Sequence, residues 1–260
     1  MSPARWSSPI AIATMAAVLV GGAGAARAGR TPFGWGRATE VVPERGVELE
    51  TWVFEKNGMK PKGDADGQER VPDETTLWWM TVIGLTDHIE LAVPVELRHL
   101  QVGDTGGDTL LYAFGAEARA RLVSPDPIEA GPFAPVLRLG VHRLVNARKK
   151  TRTEGGFALG IDMGPRVHAV LDVGATWIAG DGESDLSLTP AAGISIELVG
   201  QLRAGGEVYG ELTLDGKEPE WLAAGPNLAW THGRFWISGA MAIGIIDINA
   251  APRINWGVAF

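Results

Sequence analysis

The last eight residues constrain this chain more than any other stretch. In Arg253-Ile254-Asn255-Trp256-Gly257-Val258-Ala259-Phe260, the side chains of Ile254, Trp256, Val258 and Phe260 fall on one face of a strand, and Arg253, Asn255, Gly257 and Ala259 fall on the other. Chain ends normally fray into water. A half-apolar strand that stops on a large aromatic suits a sheet that closes on itself, with this strand as the closing one.

The same period of two runs upstream. From Gly46 the chain reads as alternating segments of roughly ten residues separated by turn residues. In the third segment Ile89, Leu91, Val93, Val95 and Leu97 alternate with Glu90, Glu96 and Arg98. In the fourth, Leu110, Tyr112, Phe114, Ala116, Ala118 and Ala120 oppose Glu117, Arg119 and Arg121. Later segments set Leu137, Leu139 and Val141 against Arg138 and His142, Phe157, Leu159 and Ile161 against Asp162, and Leu171, Val173 and Trp177 against Asp172. Two more set Ile194, Ile196 and Leu198 against Glu197, and Leu202, Val208, Leu212 and Leu214 against Arg203, Glu207 and Glu211. With the segments at 47–55, 75–84, 221–230 and 235–244 and the terminal strand, this predicts an all-β, antiparallel up-and-down barrel of about twelve strands over 46–260. Glycine recurs in nearly every segment, which argues against helices. Phase is open in the first, second and tenth segments: Trp78 and Trp79 cannot share a face, and Trp52 and Phe54 share one with Glu48 and Glu50.

Alternation does not say which face is inside. Two features favour apolar-out. Aromatics on the apolar face gather at segment ends, Tyr112, Phe157 and Trp177 at one and Phe133, Trp230, Phe235 and Phe260 at the other, as interfacial belts do. Long connections (57–73, 100–108, 144–155) also fall at one end and tight ones at the other, with 123–132 an exception. A soluble sandwich or ligand-binding barrel is the alternative. Apolar-out makes Glu90, Glu96, Arg98, Glu117, Arg119, Arg121, Arg138, His142, Asp162, Asp172, Glu197, Arg203, Glu207 and Glu211 lumen-lining. They form either a ladder of local ion pairs, the favoured reading, or a basic wall facing an acidic one. Inward Gly115, Gly140, Gly160, Gly174, Gly193 and Gly205 leave room in the bore or relieve curvature. On this phase Leu91→Arg should damage folding far more than Glu90→Arg, because Glu90 faces a wet interior.

The N-terminus supplies the compartment. Residues 1–28 read as a secretory signal peptide, with Arg5 ahead of a short apolar core and Ala26-Arg27-Ala28 as the cleavage site. Residues 29–45 carry Pro32 and Pro43 without any period, and are expected to form a periplasmic lead. The 260 residues are 45% apolar with 35 Gly, no Cys and a net charge of −8, enough for one closed barrel after export. The acidic balance gives no support to nucleic-acid binding. Without Cys there is no lipoprotein anchor, disulfide framework or thiolate metal site, and scattered His and carboxylates predict no metal or cofactor. None of His88, His99, His142, His168 and His232 has a Ser two residues on, and no G-x-S-x-G elbow exists, so a lipid-modifying enzyme is the weakest reading. The basic run Arg143, Arg148, Lys149, Lys150, Arg152 is expected on an external loop, solvated or touching lipopolysaccharide.

Two resemblances extend this. The terminal pattern ending in Trp256, Val258 and Phe260 resembles the C-terminal signature of outer-membrane β-barrels, which implies recognition by the barrel-assembly machinery as an assembly signal and residence among outer-membrane lipids. The stretch Ile83-Gly84-Leu85-Thr86-Asp87-His88-Ile89-Glu90-Leu91 resembles a hairpin of outer-membrane proteins grouped with the MetA pathway of phenol degradation, and Gly244 to Phe260 resembles their last hairpin. At Gly244-Ile245-Ile246-Asp247 the chain departs from the usual Gly-Leu-Thr-Asp form. The resemblance implies an outer-membrane channel or transporter for small solutes, including apolar or aromatic ones. It carries no catalytic motif. A closed structural or surface-interaction barrel is the other class to keep.

Overall fold

The computed structural model describes residues 31–37, 39–60, 71–101, 107–124, 126, 129, 131–214 and 220–260; the expected signal peptide lies outside them. The strands are β1 (Val47–Lys56), β2 (Asp73–Gly84), β3 (Ile89–Gln101), β4 (Asp108–Arg121), β5 (Phe133–Leu144), β6 (Lys150–Asp162) and β7 (Val167–Gly180). They continue as β8 (Glu183–Val199), β9 (Leu202–Thr213), β10 (Trp221–His232), β11 (Phe235–Ala240), β12 (Ile243–Ile246) and β13 (Arg253–Ala259). From β1 to β11 each pairs antiparallel with its neighbour in sequence. β11 and β12 both pair with β10, at Asn227↔Ala240 and at Ala224↔Ile243, so they are two halves of one strand interrupted at Met241 and Ala242. The thirteen segments therefore make twelve staves. β13 closes the sheet, pairing with β1 (Thr51↔Trp256) and with β11 (Ile237↔Trp256). A closed barrel leaves no edge unpaired.

Polar side chains face in and apolar ones face out. Glu90 is 0% exposed, whereas Leu139 is 60% exposed and Val173 53%. Such apolar surface around the whole wall is far beyond the patches a water-soluble monomer carries, and it fits hydrocarbon. Of the three strands of open phase, β1 and β2 need no bulge, whereas on β10 the register with β12 shifts between Leu222 and Ala223. Trp52 and Trp78 face the lumen while Trp79 faces out, and the Glu48 and Glu50 carboxylates share the inner face with Trp52. Glu50 accepts the Trp52 indole N–H at 2.8 Å.

A bulge lies elsewhere, on β4. Leu97 pairs with Leu111 and Glu96 with Ala113, so Tyr112 is the extra residue. It turns inward, with the Arg98 guanidinium 3.6 Å from its ring centre. Tyr112 is thus not part of the outer belt expected for it. Phe157 falls near the middle of β6, paired with Val173, and Trp177 alone of the expected group marks that end. At the other end Phe133, Trp230 and Phe260 are exposed, and Trp230 and Phe235 meet edge to face at 6.2 Å.

That second end also carries most tight turns, at 85–88, 163–166, 200–201 and 233–234. The β7–β8 turn is the exception at the opposite end: Asp181 and Gly182 both have positive φ (55° and 82°), the backbone of a two-residue type I′ hairpin. Strands also reach further than expected into the basic run. Arg143 belongs to β5 and Lys150 and Arg152 to β6, leaving only 145–149 as loop.

Candidate functional site

The lumen is divided across its middle by the segment that precedes β1. Residues 31–37 and 39–46 do not hang outside the barrel as a lead; they fold back into it from the start of β1. An irregular segment inside a barrel must find partners for its backbone N–H and C=O groups, since little water reaches them. Inward side chains supply those partners. The Glu207 carboxylate accepts from Gly34 N (2.7 Å), Trp35 N (2.8 Å) and Gly36 N (3.3 Å), three successive amides turned onto one anion. Asp172 accepts from Arg37 N at 3.1 Å, and Glu90 from Val42 N at 2.5 Å. Ser238 Oγ donates to Phe33 O at 3.0 Å.

Packing follows the same logic. The Trp35 ring stacks on Tyr209 (centroids 4.8 Å, planes 4° apart) and meets Trp221 edge to face at 5.5 Å. Phe33 seats over Gly193, where a Cβ would stand 2.7 Å from its ring, and Thr39 seats over Gly160, where a Cβ would come within 2.5 Å of its hydroxyl. These two inward glycines are sockets for the lead. Gly115 and Gly140 instead make room for His142, and Gly174 lies against Thr189 and Arg138. Gly205 lets strands approach, its missing Cβ facing Ile194 O at 1.9 Å.

On either side of the lead a vestibule remains. The one toward the long connections has a volume of about 460 Å³, with Trp35 and Arg37 of the lead, Phe54, Trp78, Tyr112 and Arg253 among its walls. The one toward the tight turns is about 190 Å³ and is bounded by Thr31, Thr39, Asp162, His168 and Arg203.

The charged residues anticipated in the lumen lie on inward positions of the strands, and apart from Arg121 and Glu207 they meet an oppositely charged or imidazole neighbour. Arg119 lies between Glu90 (3.1 Å) and Glu117 (2.8 Å). Arg98 bonds Glu96 (2.6 Å) and Glu74 (3.0 Å), and Arg152 bonds Glu96 (2.6 Å) and forms an ion pair with Glu154 (2.9 Å). Arg138 faces Asp172 at 3.5 Å, Lys56 bonds Glu211 at 2.9 Å, and Arg203 stands 3.7 Å from Glu197. Asp162, near the rim, bonds His168 at 2.7 Å. His142 is buried beside Glu154, with 3.8 Å between Nε2 and the carboxylate. Arg121 is half-buried at the foot of β4, and its Nε has no partner among the described residues. The arrangement is a cross-strand ladder and not two opposed walls. Among the described residues no group of three or more His, Asp or Glu side chains is placed to hold a metal ion.

Sequence reasoning missed Trp35, Arg37, Lys56, Glu74, Glu154 and Arg253 as lumen residues, and placed Arg152 on a loop. For Arg152 the signal was present: it is two residues before Glu154 and four before Gly156, in phase with the inner face.

Closed antiparallel wall, charged interior and apolar exterior define an outer-membrane-type β-barrel. Solved structures with this fold include an outer membrane channel from Pseudomonas putida F1, at a TM-score of 0.58 and 11% identity over 85% of this chain and 98% of that one. The translocator domain of autotransporter NalP from Neisseria meningitidis aligns at a TM-score of 0.54 and 12% identity, covering 83% of this chain and 88% of that one. The KdgM porin in complex with disordered oligogalacturonate aligns at 0.51 and 8% identity, covering 82% and 99%. At such identities the likeness concerns the fold. No protein-family model matches the chain, and no curated protein matches it.

Proposed function

We propose that this protein is an outer-membrane channel for small solutes whose bore is stoppered by its own residues 31–46. The observation that carries this reading is the nature of the obstruction. Two vestibules open toward opposite ends, and between them stand Phe33, Trp35 and Arg37 of the lead, held by hydrogen bonds and ring contacts, without a covalent wall. A barrel that served only as a scaffold could be filled by wall side chains. Here glycine at positions 193 and 160 leaves room in the wall for Phe33 and Thr39 of the lead. The long connections face outward and the tight turns face the periplasm, with lipopolysaccharide around the outer rim. Trp256, Val258 and Phe260 serve the assembly machinery as its signal. Apolar or aromatic solutes, as the phenol-degradation resemblance implies, suit a vestibule walled by Trp78, Phe54 and Tyr112.

Single-channel recording in planar bilayers tests the reading. The intact mature chain should give small or intermittent conductance, and a variant lacking residues 31–44 should give a larger, steady one. A folded deletion variant that passes no current would leave a closed structural barrel as the better account. Deleting Phe260 should lower the yield of heat-modifiable, folded protein several-fold, since it removes the backbone N–H that bonds Val47 O at 2.8 Å together with an apolar belt residue. Undiminished yield would show that the terminal residue is dispensable for assembly.

A further inference from the structure

In the larger vestibule the ion-pair ladder leaves two guanidinium groups out. Arg37, on the lead, and Arg253, at the start of β13, make no ion pair with a carboxylate among the described residues, and Arg37 Nη1 and Arg253 Nε are buried without a hydrogen-bond partner. Their neighbours are ring faces. Arg253 stands 4.4 Å from the centre of Trp35, 4.7 Å from Trp52 and 4.5 Å from Phe54. Arg37 stands 4.8 Å from Trp52 and 5.1 Å from Trp78. Ring faces offset part of the lost hydration of a cation, but they leave in-plane N–H donors without acceptors. Arg253 is only 6% exposed, so bulk water does not fill that role. Both residues line the larger vestibule.

We propose that Arg37 and Arg253 form a carboxylate-binding site at the floor of this vestibule, and that the solutes of the channel are small monocarboxylates with a planar apolar body, aromatic carboxylates being the simplest. This rests on the channel reading above. A carboxylate accepts N–H bonds from planar guanidinium forks in the geometry those donors require. The body of such a solute packs against Trp35, Phe54 and Tyr112, which line the same cavity. A volume of about 460 Å³ is within the usual range for small-molecule sites. The surrounding charges select the valence. Glu74, Glu96, Glu154 and Glu211 also line the vestibule and are already paired, so a second negative charge on the solute meets carboxylates, not free cations. An uncharged aromatic leaves both guanidinium groups as they are, and an amine is repelled by them.

The test titrates the full mature protein in detergent with benzoate, benzyl alcohol and benzylamine, read by intrinsic tryptophan fluorescence, since Trp35, Trp52 and Trp78 flank the site. Benzoate should bind saturably, and the alcohol and the amine at least about tenfold more weakly. Arg253→Met and Arg37→Met should each weaken benzoate roughly tenfold to a hundredfold while leaving benzyl alcohol unchanged. Arg37 is outside the barrel wall, so its variant keeps the test sound if Arg253→Met fails to fold. Equal affinity for benzoate and benzyl alcohol, or unaltered benzoate binding in the folded variants, overturns the site. Conductance separates the two readings. A protein that passes ions but does not bind benzoate keeps the channel and loses the site. One that binds benzoate yet passes neither ions nor benzoate across vesicles keeps the site and loses the channel.

Discussion

Glu207→Ala is expected to raise the open probability of the intact protein in planar bilayers toward that of the variant without the lead. One carboxylate there accepts three backbone amides of residues 34–36, and alanine offers none of them an acceptor. A buried amide left unbonded costs about 1–3 kcal/mol, so the stoppered state loses several kcal/mol unless water from a vestibule enters. That is enough to carry a two-state equilibrium most of the way from closed to open, a change that takes about 5.5 kcal/mol in full. Glu207→Gln should fall between, because its carbonyl oxygen still accepts while its charge is gone. The ring contacts of Trp35 and the Gly193 socket for Phe33 remain in both variants, so the lead is loosened and not lost. If Glu207→Ala records like the wild type while the deletion variant conducts, the ring contacts hold the stopper and the three amides do not.

What could be read from the residues follows from the strand period. Each outward Leu or Val on β3, β5 and β7 was placed correctly because a period of two leaves one phase that buries Glu90, Arg138 and Asp172 together. The reading breaks where the period does. At Tyr112 two residues oppose one, and nothing in Leu110-Leu111-Tyr112-Ala113 marks the extra one. The basic run reads as loop through Arg152 because like charges gather in loops; Arg148 and Lys149 do lie in the connection, but Lys150 and Arg152 belong to β6. In the fold, Lys149 and Lys150 meet Asp181 (3.0 Å) and Glu183 (2.6 Å) across the β6–β7 edge and the β7–β8 turn.

The lead was opaque for a different reason. Its partners lie far along the chain, Glu207 173 positions from Gly34, and its backbone is irregular, so no period registers. The trace it leaves is negative. Inward glycines at 160 and 193 read as empty bore until something is known to fill them, and Gly84, whose Cβ would lie 1.9 Å from Pro43 O, reads as an ordinary turn residue.

The same geometry reverses an expectation about neighbouring residues. Glu90→Arg should destabilise the barrel more than Leu91→Arg, although only the second puts a charge on the lipid face. Leu91 is the third residue of β3, close to the tight-turn end and so to the interface, where an added cation costs about 0–1 kcal/mol. Glu90 does not face a wet interior. It is fully buried, it bonds Arg119 at 3.1 Å, and it accepts the Val42 amide at 2.5 Å. Arginine there removes an acceptor from both and sets a second cation beside Arg119, its direct cross-strand partner. Removing one member of a buried ion pair costs about 3–5 kcal/mol. Remaining contact between Arg119 and Glu117, at 2.8 Å, keeps the loss toward the lower end. Leu139→Arg supplies the scale for a lipid-facing charge near mid-wall, about 2–4 kcal/mol. Urea titration of the three variants folded into lipid vesicles measures the order. A Leu91→Arg loss larger than that of Glu90→Arg would mean that the lumen at Glu90 is hydrated and that the lead does not reach it.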